Sequence, residues 1–133
     1  MCETKEEIMI EVSEKKEGKL LHLKYEGVVT HEDYEKILIP KLTKAVKKKK
    51  HLSIFCDMRD FKRIEGKAMW DDYKFGIQHI KDFERIATVG EQWWMSPLLK
   101  VSGVFFPKLQ MKHFKSKDYK EAMKWVEKGT KVH

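Results

Sequence analysis

The sequence predicts an α/β fold of about five strands and four helices in the order ββαβαβαβα, mostly parallel, with an antiparallel strand at the N-terminal edge. Three observations carry this. Two alternating apolar segments open the chain around a short glycine link, helical stripes then alternate with apolar runs, and capping residues mark the junctions. Helices between successive strands imply right-handed crossovers and a sheet covered by helices.

Ile8 to Ser13 alternates, with Ile8, Ile10 and Val12 on one face, and Leu21, Leu23 and Tyr25 repeat the pattern after Glu17-Gly18-Lys19. This is a β-hairpin signature. Gly27 is expected to end the second strand, and Thr30 to cap a helix, with Asp33 three positions on completing the cap. Tyr34, Ile37, Leu38, Leu42, Ala45 and Val46 follow at helical spacing, interrupted by Pro40, which removes a donor, crowds the Lys36 carbonyl and should kink the helix. Lys47 to Lys50 end it, complementing the negative end of its dipole.

Leu52 to Met58 does not alternate cleanly, as expected for a central strand covered on both faces. Asp57 to Gly66 reads as a polar loop. Met69, Tyr73, Ile77 and Ile80 form the next helical stripe, flanked by Trp70. Phe83 to Val89 is a strand delivering Gly90 and the Trp93-Trp94 pair to the next helix, at the end of a strand where open α/β sheets bind ligands. Ser96-Pro97 reads as an N-cap followed by proline at the first helical position, with Leu98, Val101 and Leu99 facing inward and Gly103 as the stop. Phe105-Phe106-Pro107 then forms an apolar connector. Leu109 to Phe114 is the last strand, and Ser116 caps a final helix whose Tyr119, Ala122, Met123 and Val126 share a face before Gly129.

At 133 residues, 41% hydrophobic and 37% charged, the chain fits one globular domain spanning 1–133. No stretch approaches the roughly 18 uninterrupted apolar residues of a membrane span. The polar start, Met-Cys-Glu-Thr-Lys-Glu-Glu, does not resemble a secretory signal, so a cytoplasmic protein with Cys2 and Cys56 as free thiols is expected. The net charge is +7, yet only Arg59, Arg63 and Arg85 are arginines. Lysine is a hydrated point charge poorly suited to reading bases, so specific nucleic-acid binding is not expected.

Trp70-Asp71-Asp72 in one helix, Phe83-Glu-Arg-Ile-Ala-Thr-Val-Gly after it, and Phe114 followed by Glu121-Ala122-Met123-Lys124-Trp125-Val126 resemble the SpoIIAA-like STAS/SEC14 domain proteins over nearly the whole chain. The resemblance implies a small soluble module without established catalytic activity, with roles in signalling or in binding apolar small molecules. Better-known anti-sigma-factor antagonists of this fold carry a phosphorylatable serine after the central strand. Here that region reads Cys56-Asp57-Met58-Arg59-Asp60-Phe61-Lys62-Arg63, without serine or threonine between Ser53 and Thr88, so the phospho-switch is not carried over.

No catalytic, metal or cofactor motif is present. Asp57 and Asp60 are two carboxylates without a visible fixed partner, and the histidines at 22, 31, 51, 79, 113 and 133 lack ligand spacing. An enzyme using Asp57 or Asp60 is the weakest reading. The aromatic residues Trp70, Tyr73, Phe75, Trp93, Trp94, Phe105 and Phe106 are the sharper feature, because adjacent pairs cannot all enter one helical stripe. Trp70, Tyr73, Trp93, Trp94, Phe105 and Phe106 can line an apolar pocket, with Asp57, Arg59 and His79 as a polar rim; they can also form a homodimer or partner interface, or close the core. Lys41, Lys44, Lys47, Lys48, Lys49 and Lys50 read as a solvated helix end, with peripheral contact to an anionic membrane as the alternative.

Overall fold

A computed structural model describes residues 10–106 and 108–128, apart from the side chains of Ile80 and Phe105. Ile8, Met9 and Gly129 lie outside the described residues, as does the side chain of Phe105. The described strands are β1 (Ile10–Lys15), β2 (Leu20–Val29), β3 (Leu52–Ile64), β4 (Phe83–Val89) and β5 (Gln110–Phe114), in one five-stranded sheet ordered β1-β2-β3-β4-β5. β1 and β2 pair antiparallel and every later pair is parallel.

Four helices connect and cover the sheet. The first, α1, is built from His31–Asp33, Tyr34–Leu38 and Ile39–Lys48; α2 is Gly66–Gln78, α3 Met95–Phe105 and α4 Tyr119–Lys128. Because strand order follows chain order, each right-handed crossover puts its helix on the same side of the sheet. Thus α1, α2 and α3 share one face, while α4, after the last strand, packs on the other. Residues on β2 and β3 divide accordingly. Leu21, Leu23, Tyr25, Ile54 and Met58 join the larger core cluster, whereas Leu20 and Phe55 join Ala87, Val89, Phe114, Ala122 and Val126 under α4.

Local chemistry accounts for the junctions. The hairpin turns through Lys16, Glu17 and Gly18, all at positive φ. Thr30 Oγ1 accepts from the Asp33 amide at 3.2 Å and the Asp33 carboxylate accepts from the Thr30 amide at 2.8 Å, a reciprocal cap that satisfies two free donors. Ahead of Pro40, Tyr34–Leu38 is wound as a π-helix in which the Ile39 amide bonds the Tyr34 carbonyl five residues back. The wider turn accommodates the missing donor and the ring. At the end of β4, a Cβ on Gly90 would meet Gln92 Oε1 at 2.1 Å and the Met58 carbonyl at 3.0 Å, so a larger residue there would displace the Gln92 side chain from its place beside Met58.

Several expectations are corrected. The polar loop from Asp57 to Gly66 is absent; β3 continues to Ile64, its second half pairing with Glu26, Gly27, Val28 and Val29 of β2. Of the charged residues that suggest a loop, Arg59, Asp60, Lys62, Arg63 and Glu65 face solvent, while Asp57 and Phe61 are buried. Gly27 does not end β2 but sits at φ 57° among two register shifts, so its freedom serves an irregularity within the strand. Helix α3 begins at Met95 after Trp94 and passes through Gly103 to Phe105; Ser96 and Pro97 lie in its first turn, and Val101 faces outward. Ser116 opens a 3₁₀ turn, Ser116–Asp118, that leads into α4.

An apolar cavity with one carboxyl in its wall

The two helical stripes of α2 and α3 line one cavity. On α2 the lining positions are Met69, Asp72, Tyr73, Phe75, Gly76 and Ile77; on α3 they are Met95, Leu98, Leu99 and Ser102, continued by Phe106. Spacings of three and four residues put each set on one side of its helix. Helix α2 buries Ala68, Asp71 and Phe75; Phe75 also reaches the cavity, while Asp71 is bonded to His31 of α1. The floor is the sheet, through Leu23, Ile54, Cys56, Met58, Ile86 and Met111. The space between these walls is about 360 Å³, within the range of small-molecule sites. Small residues at Gly76 and Ser102 leave room that larger side chains would fill.

Polar groups inside are few and linked. The Tyr34 hydroxyl donates to Asp72 Oδ1 at 3.0 Å, so its oxygen accepts from Tyr25, 3.1 Å away. Burial pushes the Asp72 carboxyl above its usual range, and burial likewise raises both tyrosines. The Cys56 thiol is pushed up by burial first and then by the nearby Asp72 charge, so it stays protonated and unreactive at neutral pH. At the end of β4, His113 Nε2 lies 3.0 Å from the Gly90 carbonyl, which can only accept. Nε2 therefore carries the proton, and Nδ1 accepts from Thr88 Oγ1 at 2.7 Å. Burial lowers the His113 pKa and favours this neutral ring.

The residues singled out by sequence divide into two groups. Tyr73, Trp94 and Phe106 line the cavity. Trp70 is outside its wall, stacked on Tyr73 with centroids 5.8 Å apart and with Lys74 above it, and Trp93 is 82% exposed. Asp57 and Arg59 are on the opposite sheet face, because side chains alternate and Cys56 and Met58 face the cavity. There Arg59 Nε and Nη2 hold the buried Asp57 carboxylate at 2.9 and 2.8 Å, and the guanidinium lies 4.1 Å from the centre of the Tyr119 ring. Burial alone would raise the Asp57 carboxyl, but these bonds hold it below its usual range. This is a structural ion pair, whereas Asp60 is exposed and bonded only weakly to Lys24 at 3.8 Å. His79 caps α2, bonds Asp82 at 3.1 Å and packs 4.4 Å from Phe75. Lys47, Lys48 and Lys50 are exposed at the end of α1.

The site residues not anticipated are Tyr34, Asp72, Gly76, Ser102 and the sheet floor. A signal for two of them exists, since Asp72 and Gly76 interrupt the apolar stripe of Met69, Tyr73 and Ile77. The cavity also lies over the face of the sheet rather than only at the strand ends. Among the described residues no cluster of His, Cys, Asp and Glu could hold a metal, and no helix is long and apolar enough to cross a membrane.

The molecule is thus a mixed-sheet α/β domain with three helices on one face, all of which contribute to the lining of an apolar cavity. The chain belongs to the SpoIIAA-like family, whose model matches residues 20–127. It is similar to an uncharacterised protein of SpoIIAA-like fold from Shewanella loihica, with 29% identity and a TM-score of 0.71 over 88% of this chain and 91% of that one. No curated protein matches the chain.

Proposed function

We propose that this protein is a non-enzymatic module, acting in the cytoplasm, that binds an apolar or amphipathic small molecule between the sheet and helices α2 and α3. The observation that supports this most is the pair of helical stripes. Met69, Tyr73 and Ile77 on α2 and Leu98 on α3 keep much of their surface accessible, yet all four line the cavity. Covering such surface is worth roughly 25 cal/mol per Å², which an apolar occupant gains. A second reading, pairing of two copies or docking of a partner, rests on the outward-facing Trp93, Val101 and Val104.

Native mass spectrometry of protein purified without detergent tests the proposal. The expected spectrum shows one small molecule per chain, either carried through purification or acquired from a panel of alkyl alcohols, amines and acids. Bare protein with every member of the panel, and no gain in thermal stability, would contradict it. The same spectra report assembly, and a dimer peak would favour the second reading.

A further inference from the structure

Asp72 lines the cavity and keeps exposed surface there, while its Oδ1 reaches the buried Tyr34 hydroxyl. Its partner among the described residues is Tyr34, on Oδ1. Oδ2 therefore remains open toward the cavity. The Tyr25 and Tyr34 hydrogens both run toward this carboxyl, and the Thr88 hydrogen is given to His113, so these hydroxyls have no proton left to offer a ligand. Tyr73 and Ser102 are the remaining hydroxyls of the lining, and a neutral hydroxyl is no counter-charge. Among the described residues no lysine, arginine or histidine lines the cavity. An ionised carboxyl on this wall stands beside apolar lining with no cationic partner, so an arriving cation finds its acceptor unopposed.

We propose that the polar end of the bound molecule is a protonated amine, held by Asp72 Oδ2, with its apolar part lying between α2 and α3. This rests on the cavity reading above and specifies the ligand class. A charge-assisted N–H to carboxylate bond supplies the missing counter-charge and uses the free acceptor. A fatty acid fits poorly, because its carboxylate would face Asp72 with no cation nearby. The net charge of +7 works in the opposite sense, attracting anions to the protein as a whole, so a preference for amines would have to arise locally.

Decylamine, decanol and decanoate share one chain length and differ in the head group. Their affinities, measured by calorimetry at neutral pH below micelle formation, decide the matter. Decylamine is expected to bind about tenfold or more tightly than decanoate, with decanol between them. In Asp72→Asn the amine and acid should converge, and an unchanged thermal melting profile shows that the variant is folded. Decanoate binding as well as decylamine to the wild-type protein would overturn the proposal and leave the cavity reading intact. So would an amine preference that survives in Asp72→Asn. Failure of all three probes to bind would overturn both.

Discussion

Leucine in place of Gly76 is expected to weaken decanol binding about tenfold or more, because the new side chain occupies the space left for the ligand. Gly76 lines the cavity, and a Cβ there meets nothing within 4 Å, so the substitution has room. The backbone is ordinary helix, and removing glycine from a helix stabilises it by about 0.5–1 kcal/mol. Weaker binding should therefore accompany unchanged or higher thermal stability, a combination that general damage to the fold does not produce. Gly103→Leu is the control. A Cβ at Gly103 likewise meets nothing within 4 Å, and the residue lies in α3 without lining the cavity. That variant should bind decanol as the wild type does.

The largest loss of stability is expected on the other face of the sheet. Phe55 is fully buried, stacked on His22 with centroids 5.0 Å apart and edge-on to Tyr119 at 5.2 Å. It belongs to the smaller core that a single helix covers, where few neighbours can move in to close a gap. Phe55→Ala should cost about 3–5 kcal/mol. That corresponds to a fall in Tm of roughly 10–20 °C for a chain of this size. Trp93→Ala, at an exposed ring of similar or greater bulk, should change stability by less than about 0.5 kcal/mol. Thermal denaturation of the two variants compares them directly.

The fold is largely legible in the sequence because its signals are local. Period-two alternation in β1 and β2, the Thr30 to Asp33 cap and the apolar stripes each specify an element without reference to the rest of the chain. β3 is legible only to Met58. Past that point its solvent-facing charges hide the pairing with β2, and Phe61 alone marks a buried position. The ends of α3 are obscured for a related reason, since Ser96-Pro97 and Gly103 have ordinary capping chemistry that the helix does not use.

The site is legible in part. Sequence identifies aromatic residues that one stripe cannot bury, but not which of a neighbouring pair turns inward. Trp94 precedes α3 and enters the wall while Trp93 faces water; Tyr73 lines the cavity while Trp70 stacks outside it. Asp57 and Arg59 stand next to cavity residues in sequence and opposite them in space, a consequence of strand alternation. The Tyr25, Tyr34 and Asp72 chain joins β2, α1 and α2, and that meeting depends on tertiary packing.

The central claim is that an apolar molecule lies between α2, α3 and the sheet. Intermolecular nuclear Overhauser effects from bound decanol to the protein measure this position directly. Contacts are expected from the alkyl chain to Gly76, Leu98, Ile86 and Met111. Contacts confined to Trp70, Trp93 and Val104 would place the molecule on the outer surface and contradict it.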